Sequence, residues 1–243
     1  SVLVNGREIL RGDNLFRIWE ADLKPHLVPG PNRVVVRFRS PIPLMRERDA
    51  EFRLPAWNQY HEDFSGKSYV RKMACAFGWD WGLMAPTAGI WRPMRILGFE
   101  GRLAEVRIRQ VHEGGAVGLE CDLAVEGAGD RVRVRLATAG REGVVAHGEV
   151  RDGRCRLAFP VPDPQLWWPN GLGPQPLYDL EVALEAGGRE LDRTARRIGL
   201  RTLELVRRPD RHGESFRFRV NGRDFFCKGA NWIPCDVFPS RIA

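Results

Sequence analysis

The residues of this sequence best suited to chemistry are Trp79, Asp80 and Trp81, set between Gly78 and Gly82 in the run FGWDWG. A sugar presents apolar C–H faces and a ring of hydroxyls. Flat aromatic side chains suit the first. A carboxylate suits the second, because its two oxygens accept charge-assisted hydrogen bonds from two hydroxyls at once. Glycines on either side let the backbone turn sharply and bring these groups forward. Read alone, the same triplet also suits two core tryptophans and an aspartate that caps a turn. A second aromatic pair, Trp167-Trp168, has the look of a stacking platform in isolation. No metal or cofactor is expected. His26, His61, His112, His147 and His212 are isolated, and the five cysteines are widely spaced without a CxxC pair.

The elements that position these residues are strands. Val34, Val36 and Phe38 alternate with polar residues, as do Val132, Val134 and Leu136, then Tyr178, Leu180, Val182 and Leu184, then Phe216, Phe218 and Val220. That is the pattern of half-buried antiparallel strands. Asn5-Gly6 and Asn221-Gly222 lie between such runs and predict tight hairpins. No stretch shows a long helical period with good caps. The strands fall into batches. Residues 1–99 hold one, interrupted by a polar and aromatic stretch at Arg46–Ser68. Residues 100–205 hold short strands with turn signals every 8–12 residues, the spacing of an immunoglobulin-like sandwich. Residues 206–243 change character and read as the opening of a third domain.

Bulk properties exclude several classes. The 243 residues are 43% hydrophobic and 28% charged, as in ordinary folded domains. No run of about 18 apolar residues exists, so no membrane span is expected. The net charge of +7 comes mainly from arginines scattered along strands, mixed with acids, which argues against a nucleic-acid surface. The opening SVLVNGREIL lacks the layout of a signal peptide and reads as the middle of a strand, as if cut from a longer chain. Cysteines without an evident pairing suit a cytoplasmic compartment.

Several segments occur together and in order: DNLFR (13–17), Arg71-Lys72, FGWDWG (77–82), PTAGIWRPMRI (86–96), LWWPNGLGPQPLY (166–178), RRIGLRTLEL (196–205) and FRVNGRDFFCKGANWIP (218–234). Over essentially its whole length the chain resembles the β-mannosidases of glycoside hydrolase family 2. GIWR, WWPNGLG…PLY, GLRT and the NG…F-x-KG hairpin are shared with β-galactosidase- and β-glucuronidase-like members. FGWDWG, KGANWIPCDVFPSR and DNLFR lean toward β-mannosidase.

The resemblance implies an all-β chain. A partial jelly-roll, galactose-binding-like domain (1–99) is followed by an immunoglobulin-like sandwich (100–205) and the first strands of a catalytic (β/α)8 barrel (206–243). It implies a retaining mechanism with two glutamates about 5 Å apart. In this family the acid/base follows an asparagine, and the chain contains no Asn-Glu dipeptide, so both catalytic residues are expected beyond Ala243. By the same resemblance Trp79, Asp80 and Trp81 reach over the barrel mouth to the terminal mannose. Asn231 and Trp232 lie near the pocket floor, where packing within the barrel is an equal alternative. Trp167 and Trp168 fall at a domain junction, in a structural role. The implied partners are a β-mannoside and the rest of the chain's own barrel. A β-galactosidase- or β-glucuronidase-type enzyme, a stand-alone carbohydrate-binding module and a purely structural sandwich remain open at this level.

Overall fold

Both Asn-Gly pairs make the hairpins their context predicts. The structure is a computed structural model that describes residues 1–56, 62–79, 82–138, 143–233 and 235–242. It divides into two units, one of Ser1–Arg95 with Ala230–Ala243 and the other of Ile96–Gly229.

In the first unit, strand β1 (Val2–Val4) pairs antiparallel with β2 (Arg7–Leu10), Val4 opposite Arg7. Asn5 and Gly6 between them have φ of 50° and 85°, the two positive values of a type I′ turn. The Asn5 side chain accepts from the Arg33 N–H and donates to the His26 carbonyl, and so holds β3 (Val34–Val36) on the other side of β1. The strand stops at Val36, and Phe38, expected on the same face, is largely exposed.

The polar stretch that follows contains a helix that periodicity does not reveal, α1 (Ile42–Glu51). Met45 is its one buried side chain. A 3-10 stretch, Glu62–Tyr69, packs on α1 so closely that a Cβ on Gly66 would lie 2.2 Å from the Met45 carbonyl oxygen. The Ser65 hydroxyl also donates to Asp49 on α1 at 2.5 Å. Then come β4 (Phe77–Trp79) and β5 (Gly82–Met84), paired antiparallel.

The second unit is a sandwich. One sheet has the order β10 (Arg154–Val161), β7 (Ala116–Gly127), β6 (Gly101–Glu113). The other runs β12 (Arg189–Ile198), β11 (Tyr178–Ala186), β8 (Arg131–Ala137), β9 (Val144–Glu149). The chain crosses between sheets after β7, β9 and β10, so neither sheet is a simple meander. Alternate residues meet in one core: Leu119, Cys121, Leu123 and Phe159 from the first sheet, Val132, Val134, Leu180, Val182 and Leu184 from the second. Each such aliphatic side chain contributes about 1.5–3 kcal/mol by leaving water. Cys155 is a buried core residue. Tyr178, at the start of β11, also anchors the connection before it, because its hydroxyl accepts the Gln165 N–H at 2.9 Å. This is the kind of tie that a tyrosine corner makes in immunoglobulin-like domains.

Past Leu200 the second unit ends in a three-stranded antiparallel sheet, β13 (Leu203–Asp210), β14 (Gly213–Val220) and β15 (Arg223–Phe225). Asn221 and Gly222, with φ of 48° and 77°, turn β14 into β15. Strand β13 runs across position 205/206, and among the described residues after Phe225 there is no strand. Among the described residues no helix is long and apolar enough to cross a membrane.

Candidate functional site

The FGWDWG segment is rooted in a tightly packed base. A short 3-10 turn, Ala74–Ala76, leads into β4, and Cys75, Ala76 and Phe77 are all buried. Phe77 meets the Phe64 ring edge-on, with centroids 5.9 Å apart and planes at 67°. Gly78 has φ of 107°, a conformation side-chain-bearing residues avoid, so glycine is required there. Trp79 is half-buried and stands opposite Gly82 in the β4–β5 pair. Asp80 and Trp81, the residues between the two strands in sequence, lie outside the described residues, as does His61.

Two motifs without an assigned chemistry hold the lead-in to this hairpin. The Leu15 N–H, in DNLFR, donates to the Arg71 carbonyl at 2.9 Å. The Leu15 carbonyl accepts the Trp91 indole N–H, in GIWR, at 3.0 Å. The Arg92 guanidinium stacks on the same Trp91 ring, 4.5 Å from its centroid. One residue, Leu15, thus ties the strand of chain before FGWDWG to the segment after it. Lys72, next to Arg71, is partly desolvated, which lowers its pKa. Sequence spacing gave no chemical reason for these contacts.

The segment carrying Asn231 and Trp232 belongs to the same unit. Both are exposed, Trp232 by 86%. Farther along, Val237 is buried, and its methyl group lies where a Cβ on Gly82 would come within 3.0 Å. The tail is therefore seated against β5 at Gly82, the residue that pairs with Trp79. It is braced by Asp236, which accepts from the Phe238 N–H and from Arg241, each at 2.8 Å. The Arg241 guanidinium, followed by the Phe238 N–H, holds the Asp236 carboxyl below the usual carboxylate range. Contact through Val237 and Gly82 brings the tail to the hairpin, while Asn231 and Trp232 themselves face solvent.

Trp167 and Trp168 are built into the second unit. Trp167 donates its N–H to the Leu200 carbonyl, packs over Gly199 and carries the Arg201 guanidinium 4.9 Å from its ring. Its carbonyl accepts the Asn221 side-chain amide. Trp168 packs on Gly173 and bonds to the Pro174 carbonyl. Trp167 thus clasps the 166–177 turn to the chain after it, while Trp168 packs within the turn itself. Among the described residues, no three His, Cys, Asp or Glu side chains are grouped to hold a metal ion.

Two family models match the chain. "Glycosyl hydrolase 2 galactose-binding domain-like" covers residues 1–92. "Glycosyl hydrolases family 2" covers residues 102–201. The chain belongs to glycosyl hydrolase family 2. Among its relatives, "Beta-mannosidase B" of Emericella nidulans is 32% identical over 253 residues, taking in 100% of this chain and 29% of the relative. The Aspergillus terreus protein of the same name is 35% identical, with 100% and 29% covered. A solved structure, the β-D-mannosidase of Dictyoglomus thermophilum, superposes with a TM-score of 0.85 at 34% identity, over 100% of this chain and 30% of that one. An exo-chitosanase of Amycolatopsis orientalis shares the fold, with a TM-score of 0.60 at 21% identity, over 98% of this chain and 26% of that one. The chain thus spans 29–30% of the length of the β-mannosidases to which it is similar.

Proposed function

We propose that this chain is the non-catalytic N-terminal part of a retaining exo-β-mannosidase, which removes terminal non-reducing β-D-mannose. The observation that carries the reading is the match over all of this chain to a β-D-mannosidase at 34% identity and a TM-score of 0.85. The division of labour follows from retaining chemistry. One glutamate attacks the anomeric carbon and the other protonates the leaving oxygen, then activates water. Neither is assigned to this chain, which has no Asn-Glu dipeptide. Both belong to the barrel that residues 206–243 begin, after a jelly-roll domain at 1–99 and a sandwich at 100–205.

The chain's own share is a wall of the sugar pocket. Gly78 and the Phe77 base set the hairpin's geometry, Trp79 and Trp81 offer apolar faces, and the Asp80 carboxylate accepts bonds from sugar hydroxyls. Asn231 and Trp232 serve near the pocket floor. Bonds to hydroxyls that tighten as the sugar ring flattens lower the barrier rather than the ground state alone. The free thiols of the described cysteines suit a reducing compartment, and a cytoplasmic location goes with that reading.

The test is to assay the protein extended past Ala243 on nitrophenyl β-mannoside, β-galactoside and β-glucuronide. Preference for the mannoside by at least about 100-fold in kcat/KM is expected. Equal or better turnover of either other glycoside rejects the substrate. Saturable binding of mannose by the 243-residue chain alone, abolished in Asp80→Ala, would instead mark a self-sufficient binding module.

A further inference from the structure

A third Asn-Gly pair, Asn170-Gly171, lies in the WWPNG run and makes no hairpin. It sits at the centre of a four-residue turn that the Leu172 N–H closes on the Pro169 carbonyl at 3.0 Å. Gly171 has φ of 80° and Asn170 is not in the left-handed region, the signature of a type II turn. The three pairs differ most at the asparagine side chain. Asn5 donates to the His26 carbonyl at 2.9 Å and to Asn32 Oδ1 at 2.8 Å, and accepts the Arg33 N–H at 3.0 Å. Asn221 is held between the Thr202 N–H and the Trp167 carbonyl, each at 3.0 Å. Asn170 is exposed, and among the described residues its side chain has no hydrogen-bond partner. A Cβ on Gly171 would meet nothing within 4 Å, so the space around the pair is open.

An asparagine amide followed by glycine can close a five-membered ring with the next main-chain nitrogen, because glycine has no side chain to block the approach. Closure requires a free side chain and a peptide able to swing toward it. At Asn5 and Asn221 the side-chain bonds hold the amide away. Paired residues on either side, Val4 with Arg7 and Val220 with Arg223, hold the peptide. At Asn170 the restraint is the Leu172–Pro169 bond, outside any strand ladder.

We propose that Asn170 is a site of spontaneous modification by water, at which the side-chain amide becomes a carboxylate. The Gly171 nitrogen, on losing its proton, attacks Asn170 Cγ. That C–N bond forms, the Cγ–Nδ2 bond breaks, and the amide leaves as ammonia. Water then opens the ring at either carbonyl, giving aspartate or isoaspartate, with no oxidant or reductant involved. The new carboxylate lowers the net charge of +7 by one. Isoaspartate also adds a methylene to the main chain and breaks the turn closed by Pro169 and Leu172. The inference is independent of the sugar that the longer enzyme cleaves.

The test incubates the 243-residue chain at mildly alkaline pH, folded in buffer and unfolded in urea. Each Asn-Gly peptide is followed by mass spectrometry for a gain of about 1 Da. In the folded chain Asn170 is expected to convert at least about 10-fold faster than Asn5 or Asn221, whose side-chain bonds must break first. In urea the three should converge to within about threefold, since each is followed by glycine and none keeps its bonds. Asn170→Gln should remove the acidic form that accumulates on ion exchange. Asn5 keeping pace with Asn170 in the folded chain overturns the proposal, because both are exposed and the side-chain bonds are what separates them. So does an Asn170 that stays unconverted in the folded chain while it converts in urea.

Discussion

Asn221 is the residue at which three of the family segments meet, and replacing it separates their contributions. Its Oδ1 accepts the Thr202 N–H at 3.0 Å, after GLRT begins, and its Nδ2 donates to the Trp167 carbonyl at 3.0 Å, in WWPNG. Its own backbone has φ of 48°. Asn221→Ala removes two partly buried hydrogen bonds, at about 1 kcal/mol each. It also forces alanine into the left-handed region, at about 1–2 kcal/mol. The sum is about 3–4 kcal/mol. Asn221→Gly loses the same bonds without the steric penalty, so about 2 kcal/mol is expected. With a urea slope of about 2 kcal/mol/M, the midpoints should fall by roughly 1.5–2 M and 1 M. Hydrogen-exchange mass spectrometry across a urea series, read on peptides from β7, β8 and β11, reports this unit alone. If glycine proves as damaging as alanine, backbone strain plays no part. If both variants stay within about 0.5 kcal/mol of the parent, Trp167 is not clasped through Asn221, and the structural account of the tryptophan pair fails.

Gly78→Ala places a side chain at φ of 107°, at a cost of about 1–3 kcal/mol. Amides of β4 and β5 should exchange about 5- to 150-fold faster while those of β1 and β2 are unchanged; uniform acceleration would point to general destabilisation instead. In the native chain a thiol reagent should modify Cys227 and Cys235, which are exposed, and reach Cys75, Cys121 and Cys155 only after unfolding. Burial, with the neighbouring Cys155, pushes the Cys121 thiol up to about 11, so raising the pH from about 7 to 9 should leave Cys121 unmodified. Asp236 is held below the ordinary aspartate range, so its stabilising bond to Arg241 is present at neutral pH and lost as pH falls through the lowered value. Protection in the tail around Val237, taken relative to the intrinsic exchange rate at each pH, should therefore fall below about pH 4, and Arg241→Ala should remove that fall; a tail whose protection ignores both would not be held this way.

Strand periodicity made the sandwich legible because its core is filled by alternate residues of long strands, Val132-Val134-Leu136 and Tyr178-Leu180-Val182-Leu184. Both Asn-Gly turns were legible for an equally local reason, two consecutive positive φ values. Helix α1 was not. Its sequence, IPLMRERDAE, has no apolar stripe, and only Met45 is buried, so it is held by Gly66 and Ser65 of a later segment. Phe38 continued an alternating pattern, but pairing with β1 ends at Val36. In the candidate site, the glycine at position 78 could be read directly, while Asp80 and Trp81 lie outside the described residues. The role of Leu15 as a tie between Arg71 and Trp91 could not, because it acts through backbone atoms that any residue possesses. The Val237–Gly82 contact joins residues 155 positions apart, a separation that no local pattern encodes.

In the proposed pocket, Asp80 supplies a carboxylate wall and the reacting groups lie elsewhere, so its loss should cost activity without costing stability. Asp80→Ala in the extended protein, assayed on nitrophenyl β-mannoside with the melting temperature measured alongside, tests it most directly. Loss of two charge-assisted bonds, at about 1.5–3 kcal/mol each, predicts a fall in kcat/KM of at least about 100-fold with melting unchanged. Activity within about threefold of the parent would contradict the account.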